Sequence, residues 1–397
     1  MLKKLQLENF RNYANLRLDF AKKEGLVYLI GDNGQGKTNI LEAVYMLGLA
    51  KSFRSSEGES LIKWESDFGR IKGLFEEEGW EETNPLDEPA AVDLMMPPTP
   101  TSTTTELEIF LGRPPQPKRV FKINQVKSSA VNFIGRTRVV FFNPEDLNVL
   151  YLGPELRRRY LDLMILQKSR EYFAALRNFK RVRAQRNALL HAIKERRAGE
   201  GELEVWDEQL VREGVVIWRM RGEALQYIDQ DLSGKYMEIS GRAAELSVSY
   251  KNSLGLEYNL LNASPNLEDL FWNELKLSRF KDLNSEHTQV GPHRDEIEFT
   301  LNGHPILQHA SRGEFRTILL ALKLIEMDYF CSDGQRPILL LDDVFSELDH
   351  ERQMFLLERV ANFQTFITTT KDSVVINREN LKPGTFIEIK RGKALLG

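Results

Sequence analysis

The 397-residue sequence contains a single cysteine, Cys331, and only six histidines. One cysteine cannot form an internal disulfide, and it rules out a zinc site built from cysteines. No apolar run approaches the ~18 residues of a membrane-spanning helix, and the first residues lack the apolar core and cleavage site of a signal peptide. With 42% hydrophobic and 28% charged residues, the sequence predicts a globular protein of the reducing cytoplasm, without a membrane partner.

Charge is distributed unevenly along the chain, although the net charge is only −4. Residues 76–108 contain ten acidic side chains and no lysine or arginine, and they are rich in proline and threonine. Such a composition buries too little surface to offset chain entropy, which predicts a flexible acidic insertion at about 78–106. Residues 157–197 contain thirteen basic and three acidic side chains. They predict either a surface for DNA phosphates or the solvated face of a helix.

A phosphate-binding loop is predicted by Gly31-Asp-Asn-Gly-Gln-Gly36-Lys37-Thr38, which matches G-x-x-x-x-G-K-[ST] between a strand pattern and a helix pattern. Its glycines let backbone N–H groups wrap phosphate oxygens, and the helix N-terminus favours negative charge. The lysine of such a loop reaches the β- and γ-phosphates, and the threonine hydroxyl binds Mg²⁺. The sequence therefore predicts an ATP site lined by Asn33, Gly34, Gln35, Gly36, Lys37 and Thr38.

Two carboxylates follow the aliphatic run Ile338-Leu-Leu-Leu, at Asp342 and Asp343. The run predicts a buried strand of a parallel sheet, whose carboxyl end would face the phosphate crevice. We expect Asp342 to hold Mg²⁺ together with Thr38, and Asp343 to orient the attacking water. A pair of turn or cap aspartates is the alternative interpretation. Related ATPases commonly have glutamate in place of Asp343, so that the shorter side chain predicts slow turnover.

The segment Ser311-Arg-Gly-Glu314 stands just before a long helical pattern and has two interpretations. Ser-x-x-Glu is a capping box, in which the serine caps the helix and the glutamate bonds back. The segment also resembles the signature motif of ABC-type ATPases, whose serine touches the γ-phosphate held by another subunit. The two interpretations are compatible, because an N-capping serine stands where an anion binds.

Segments spread along the chain resemble the RecF family of SMC-like ABC ATPases. They are residues 7–13, 31–41, 51–54, 142–147, 157–162, 288–295, 311–323 and 340–349. The resemblance implies an α/β fold: an ABC-type ATPase head, with a P-loop sheet, flanking helices and an antiparallel β subdomain, plus an inserted helical lobe. The implied head comprises residues 1–150 and 285–397. The implied lobe, residues 151–284, has a short antiparallel arm.

The resemblance also assigns roles to residues outside the loop. Arg11, Asn12 and Asn39 fall where the family contacts nucleotide, and Asn143 falls near the position of the Q-loop. Gly313 belongs to the signature with Ser311, and residues 346–349, ending at Asp349, resemble the D-loop that crosses to a partner subunit. Residues 368–370 replace the switch histidine of many ABC proteins, which implies modest hydrolysis. The acidic insertion is not part of the family pattern.

One chain has one P-loop and one signature, so the resemblance implies a head-to-head dimer. In it, two ATP molecules would lie between Lys37, Thr38 and Asp342 of one subunit and Ser311 of the other, and Lys37, Asp342, Asp343 and Ser311 would carry a weak ATPase activity. The implied function is a recombination mediator that binds duplex DNA near single-strand gaps and loads recombinase with RecR- and RecO-type partners. DNA repair, replication-fork recovery and the SOS response are the implied processes.

Three other functions are open at this point. The first is an ATP-switched DNA-binding scaffold whose hydrolysis is incidental. The second is the ATPase subunit of another ABC-type assembly, such as a transporter, although the basic segment fits a membrane partner poorly. The third is an SMC-like nuclease, which would need a further cluster of metal-binding carboxylates that the sequence does not show.

Overall fold

The structure is a computed structural model that describes residues 1–20, 25–54, 58–76, 104–115, 118–346, 348–370 and 383–396. Most of the predicted acidic insertion and one residue of the predicted D-loop lie outside these residues. The chain divides into two compact units. The first contains Met1–Phe141, Cys331–Ser346 and Leu356–Gly397, and the second contains Phe142–Phe330 and Glu347–Phe355. Residues 285–330, which the resemblance assigned to the head, group with the helices of the second unit.

A six-stranded mixed sheet is the centre of the first unit. Its strand order is β15-β14-β3-β13-β12-β8, and β14, β3, β13 and β12 run parallel. The aliphatic runs of β3 and β12 are almost completely buried, as expected for parallel strands covered on both faces. The bounds are β3 Leu26–Ile30, β8 Val139–Phe142, β12 Ile338–Asp342, β13 Thr365–Thr369, β14 Thr385–Lys390 and β15 Lys393–Leu396.

A second, antiparallel sheet of the first unit has the order β2-β1-β4-β5-β6-β7. It begins with the predicted N-terminal hairpin, in which buried Leu5 and Leu7 alternate with polar residues. Two helices accompany the sheets, α1 Lys37–Leu49 and α2 Ala130–Phe133. The strands are β1 Leu2–Phe10, β2 Tyr13–Asp19, β4 Phe68–Glu76, β5 Thr104–Gly112, β6 Arg119–Ile123 and β7 Val126–Ser128.

The second unit is mainly helical. Its helices α3–α10 are Leu147–Tyr151, Pro154–Leu166, Arg170–Lys194, Leu203–Ser240, Tyr258–Ala263, Leu267–Ser285, Ile306–His309 and Arg312–Cys331, the last of which ends in the first unit. A small antiparallel sheet contains β9 Leu246–Lys251, β10 Glu296–Leu301 and β11 His304–Pro305. Helix α11, His350–Val360, spans the division between the units. No helix of the described segments has the length and apolarity needed to cross a bilayer.

The long basic helical pattern is interrupted once. Ser169 separates α4 from α5, since its hydroxyl oxygen accepts a hydrogen bond from the backbone N–H of Tyr172, at 3.0 Å. Helix α6 runs to Ser240 and ends at Gly241, whose φ of 65° suits glycine. Helices α5 and α6 pack antiparallel, and Gly214 of α6 leaves room for the ring of Phe271 on α8 and, less closely, for that of Phe179 on α5.

A buried arginine joins four parts of the second unit. Arg186 on α5 is fully buried and donates to Asp207 on α6, at 2.6 Å, and to Asp282 on α8, at 2.7 Å. It also donates to the hydroxyl of Thr288, in the segment 288–295, at 2.9 Å. Burial raises the pKa of Asp282, and the positive charge of Arg186 opposes that rise. The pairing offsets the desolvation cost that each of these charges would have alone.

A second buried network fixes the other end of the same segment. Arg221 on α6 donates to Asp162, at 2.8 Å, and to the carbonyl oxygen of Pro292, at 2.6 Å. Asp295 accepts hydrogen bonds from Trp218 and Tyr250 and lies 3.3 Å from Arg221. Burial raises the pKa of Asp295 to about 6, although Arg221 lowers it. The segment 288–295 is therefore held at both ends by buried ionic groups.

Replacing Arg186 by leucine should destabilise the second unit. The substitution leaves the buried carboxylate of Asp282 without its cation and leaves Asp207 with Arg279 alone. Breaking comparable buried pairs costs roughly 3–5 kcal/mol. Native-state hydrogen exchange of the α5 and α6 amides would measure the loss. As a control, Arg197→Leu removes an exposed arginine that pairs with Glu195, and it should change exchange little. Equal effects of the two substitutions would contradict the structural role of Arg186.

Candidate nucleotide-binding site

The predicted phosphate-binding loop connects β3 to α1. Two of its glycines have left-handed backbone conformations, with φ of 78° at Gly34 and 114° at Gly36. A Cβ atom on Gly36 would lie 2.5 Å from Asn12 Nδ2 and 2.9 Å from the Tyr13 hydroxyl. Glycine is thus required at position 36 both by the backbone and by the close approach of the N-terminal hairpin.

Side chains of the hairpin turn hold the loop from one side. Asn12 Nδ2 donates to the carbonyl oxygen of Gln35, at 2.9 Å, and Tyr13 donates to that of Gly36, at 3.0 Å. Asn39 in turn donates to Asn12 Oδ1, at 2.9 Å. Burial raises the pKa of Tyr13, which keeps its hydroxyl a hydrogen-bond donor. The structure thus brings Asn12 and Asn39, both predicted to contact nucleotide, directly onto the loop.

The turn between β14 and β15 holds the same loop from the other end of the chain. Gln35 Oε1 accepts a hydrogen bond from the backbone N–H of Arg391, at 2.7 Å. The carbonyl oxygen of Gln35 also accepts one from Gly392 N, at 3.3 Å. Gln35 therefore connects the loop with the first and the last β-hairpin of the chain, whereas Asn33 and Gly34 are exposed to solvent.

Arg11 has a structural partner that sequence analysis missed. Its guanidinium forms two hydrogen bonds, of 2.8 and 2.7 Å, with the carboxylate of Glu42, which is fully buried on α1. Ser52 donates to the same carboxylate, at 2.5 Å, and Arg11 also donates to the Ser60 carbonyl oxygen, at 2.9 Å. The signal in the sequence was Glu42 itself, because a single carboxylate among the apolar residues of α1 needs a partner when it is buried. The contact of Arg11 with nucleotide stays a prediction.

Lys37, the first residue of α1, is the cation of the loop. Its Nζ donates to the carbonyl oxygens of Gly31, at 2.5 Å, and Asp32, at 2.9 Å. Burial lowers the pKa of Lys37, and the negative charges of Asp343, Asp342 and Asp32 oppose this. The lysine thus lies near both carboxylates at the end of β12, Asp342 and Asp343, as expected for a cation that would bind phosphate beside acidic residues.

The predicted metal ligands Thr38 and Asp342 meet, although 304 positions separate them. Asp342 Oδ1 accepts hydrogen bonds from Thr38 Oγ1 and from Thr368 Oγ1, both at 2.8 Å. Thr368 is paired in register with Asp342 on the neighbouring parallel strand, and its hydroxyl accepts from Asp343 N, at 3.0 Å. Thr368 is thus the third member of the cluster. The sequence signal for it was its position near the end of β13, beside the end of the strand that carries Asp342.

The chemistry of this cluster fits Mg²⁺. Hydroxyl and carboxylate oxygens are the donors that this ion prefers, and it commonly binds one or two carboxylates together with substrate phosphates and water. Within the described residues, no group of three or more histidine, cysteine or acidic side chains could hold a metal ion alone. Phosphate and water oxygens would therefore have to complete the coordination begun by Thr38 and Asp342.

The remaining predicted site residues belong to the second unit. Ser311 and Glu314 form the predicted capping box: Ser311 N donates to Glu314 Oε2, at 2.6 Å, and Glu314 N to Ser311 Oγ, at 3.3 Å. Hydrogen bonds from Ser311 lower the pKa of Glu314. Gly313 lies in the first turn of α10, and the only described atom that a Cβ there would meet is Ser311 Oγ, at 4.0 Å. This helix start is therefore open around Gly313.

Asp349 and Asn143, the predicted D-loop and Q-loop residues, also lie in the second unit, where Asp349 has an ion-pair partner and Asn143 has a buried amide oxygen. Arg352 pairs with Asp349 and donates to Thr317 Oγ1 on α10, at 2.7 Å, so that Arg352 links the predicted D-loop to the signature helix. A hydrogen bond from Arg352 N lowers the pKa of Asp349. Asn143 donates to Asp146, at 3.2 Å, and its own Oδ1 is buried without a hydrogen-bond partner among the described residues.

Comparisons with known proteins agree on one family. Residues 1–388 match the family model described as RecF/RecN/SMC N terminal domain. The DNA replication and repair protein RecF of Bacillus cytotoxicus is 33% identical over 393 residues, covering 98% of this chain and 97% of that relative. The protein of the same name from Streptococcus suis is 37% identical over 372 residues, covering 93% and 92%.

Solved structures give the same result for the fold. The recombination mediator protein RecF, described as RecF-ATP in the RecFOR pathway, aligns over 100% of this chain and 97% of its own, with a TM-score of 0.83 and 32% identity. A second structure, described as RecF-ATPrS, gives a TM-score of 0.84 at 32% identity, over 99% and 97%. The Smc head domain from Pyrococcus furiosus has a TM-score of 0.51 at 18% identity, which bears on the fold alone. The predicted ABC-type ATPase head is thereby confirmed.

Alanine substitutions at Gly36 and Gly34 should differ in effect. Both positions have positive φ, so both substitutions strain the backbone by about 1–2 kcal/mol. Only at Gly36 would the new Cβ collide with Asn12 and Tyr13. Gly36→Ala should therefore lower the unfolding temperature of the free protein more than Gly34→Ala, as thermal unfolding would show. Equal shifts would mean that the hairpin does not hold the loop.

Proposed function

The chain belongs to the RecF family, and from this membership we propose that it is an ATP-dependent recombination mediator of DNA repair. The observation that carries the proposal is the meeting of Lys37, Thr38, Asp342 and Thr368 at one edge of the parallel sheet. Full-length relatives named RecF and structures described as RecF-ATP support the nucleotide and the process.

Each residue of the cluster has a role in the proposed reaction. Lys37 would bind the β- and γ-phosphates, and backbone N–H groups of the loop would surround them. Mg²⁺, when bound, neutralises phosphate charge, and Thr38 and Asp342 would hold it. Asp343, whose backbone N–H is fixed by Thr368, would orient the attacking water. The backbone of the loop is already held by the two hairpin turns, so that nucleotide binding would mainly reorient the side chains of Lys37 and Thr38.

The proposed active form is a head-to-head dimer. ATP on the loop of one subunit would contact Ser311 and Gly313 of the other, and Asp349 would cross with the D-loop. The open helix start at Gly313 supports this arrangement, because a helix N-terminus with a capping serine suits a phosphate. ATP contacts both subunits only in the closed dimer, so it would shift the population towards that state.

Closure of the dimer would couple nucleotide to DNA. In the proposed cycle the ATP-bound dimer binds duplex DNA near a single-strand gap, and weak hydrolysis releases it. RecR- and RecO-type proteins would be the direct partners, and the recombinase an indirect one. The processes served would be gap repair, recovery of replication forks and the SOS response.

A scaffold whose hydrolysis is incidental is the second candidate. Asp343 is shorter than the usual glutamate, and its backbone is left-handed, with φ of 53°. Thr368, at the place of the usual switch histidine, is occupied by hydrogen bonds to Asp342 and Asp343. Both features favour slow turnover, which a switched scaffold would tolerate.

Lys37→Met should abolish ATP-dependent dimerisation and DNA binding. The substitution removes the cation that would bind the phosphates while keeping a similar volume. Sedimentation with and without ATP and a gapped duplex would measure both properties. Lys4→Met, which removes an exposed lysine paired with Asp19, is the matched control and should behave as wild type. A wild type whose oligomeric state and DNA affinity ignore ATP would refute the composite-site mechanism.

Asp343→Asn separates the two candidate functions. Asparagine tolerates a left-handed backbone, so the substitution should remove the carboxylate without distorting the turn. ATP hydrolysis should fall at least about tenfold, with ATP binding kept. The mediator function predicts that release of prebound duplex, followed by stopped-flow fluorescence in ATP, slows in parallel. Unchanged release would favour the scaffold.

A further inference from the structure

The thirteen basic side chains of residues 157–197 fall into two groups. Five have structural roles: Arg157 pairs with Glu296, Lys168 donates to the Tyr329 carbonyl oxygen, Arg186 is buried, Lys194 pairs with Glu286 and Arg197 pairs with Glu195. The others form no ion pair with a described residue. They are Arg158, Arg159, Arg170, Arg177, Lys180, Arg181, Arg183 and Arg196.

Three of these cations form a row along α5. Arg177, Lys180 and Arg183 are spaced three residues apart, which makes them neighbours on a helix surface. Arg177 and Lys180 are exposed and Arg183 is half-buried. Like charges at this spacing repel, and no carboxylate among the described residues compensates them. The row is therefore an unfavourable arrangement for the isolated helix.

The inner end of the row lies over the segment 288–295. Arg183 follows Phe179 by one helical turn, and the Phe179 ring lies 5.7 Å from the ring of His293. Burial lowers the pKa of His293 to about 3, and Arg183, Arg294 and Arg158 lower it further. The imidazole is therefore neutral at physiological pH and adds no charge beside the arginines, and its Nε2 lies 3.0 Å from the Thr288 carbonyl oxygen.

Two further guanidinium groups come to the same place from other elements. Arg158 on α4 donates to the backbone carbonyl oxygen of Asp295, and Arg294 donates to Gln289 Oε1, at 2.8 Å. Burial lowers the pKa of Arg183, and the positive charges of Arg294 and Arg158 add to the effect. Asp295, Glu296 and Asp162 balance part of the charge of Arg158. Among the described residues, no carboxylate balances the charge of Arg183 in this way.

We propose that Arg158, Arg183 and Arg294 bind a backbone phosphate of duplex DNA, and that Arg177 and Lys180 extend this contact along α5. The inference rests on the proposed function and names the surface of the second unit that performs it. A guanidinium group commonly donates two parallel hydrogen bonds to a phosphate, and a bound anion would relieve the repulsion among the three arginines. Buried networks around Arg186 and Arg221 fix the segment that presents Arg294, so the site is preformed.

The length of the row favours a polymer over a single small anion. Residues 177 to 183 span about 9 Å of helix axis, which is longer than the rise of about 3.4 Å along the DNA axis per phosphate of one strand, so the row is long enough to contact more than one phosphate. A free phosphate or pyrophosphate would occupy only the inner end and leave Arg177 and Lys180 without a role.

The test measures duplex affinity against salt for Arg183→Gln. Fluorescence anisotropy of a labelled duplex would be followed from low to high salt, with a non-hydrolysable ATP analogue saturating the protein. Loss of one phosphate contact should reduce the slope of log affinity against log salt by about 0.9, and weaken binding uniformly across sequences. Thermal unfolding should not move to lower temperature, because the substitution removes a repelled charge.

Two variants and one competitor complete the experiment. Arg183→Lys keeps the charge and should keep most of the slope. Arg212→Gln removes a 71% exposed arginine of α6 and should leave binding unchanged. Inorganic pyrophosphate should compete no better than its ionic strength predicts. Competition at micromolar pyrophosphate would mean a small-anion site and overturn the assignment to DNA.

The possible failures are distinguishable. If wild type and Arg183→Gln bind duplex with the same slope, the site is refuted while DNA binding as such stands. If wild type binds no duplex in any nucleotide state, both this inference and the DNA-binding part of the proposed function are refuted. Equal losses in Arg183→Gln and Arg212→Gln would indicate a diffuse charge effect and would also refute the site.

Discussion

One carboxylate oxygen, Asp342 Oδ1, has a position on which the whole nucleotide site depends. It accepts hydrogen bonds from Thr38 at the start of α1 and from Thr368 at the end of β13. These contacts are possible because β3, β13 and β12 are parallel, so that all three strands end at the same edge of the sheet. A change in strand register by one residue would turn the carboxylate to the other face of the sheet.

Around this contact, the chain holds its phosphate loop from outside the P-loop motif. Asn12 and Tyr13 come from the first hairpin, and Arg391 and Gly392 from the last. Behind them, Arg11 compensates the buried charge of Glu42. Such supporting contacts fix the geometry of a site before its ligand arrives. Ion pairing offsets the desolvation cost of burying Glu42, as it does for the carboxylates that pair with Arg186 in the second unit.

The ABC-type fold was predictable from the family resemblance, and the centre of the site was predictable because it has strong local signals. The glycines and Lys37-Thr38 define a phosphate loop by spacing, and the aliphatic run before Asp342 defines a buried parallel strand. The capping box at Ser311 was equally local, since both of its hydrogen bonds join residues three apart. The roles of Glu42 and Arg352 were missed, and so were the hydrogen bonds that join Thr368 to Asp342 and Asp343. These contacts depend on partners that are distant in sequence or lie on another element.

The sequence by itself determined that the chain has a phosphate loop, a carboxylate strand, a capping serine and a strongly basic helical run. Each of these features is formed by residues close together in the sequence, so the spacing of those residues is enough to identify it. Only the tertiary structure decided which basic side chains form ion pairs with carboxylates, as Arg186 does, and which, like Arg183, have no such partner among the described residues. Charge compensation depends on distance in space, and a carboxylate at position 207 or 282 can reach α5 only after the helices pack.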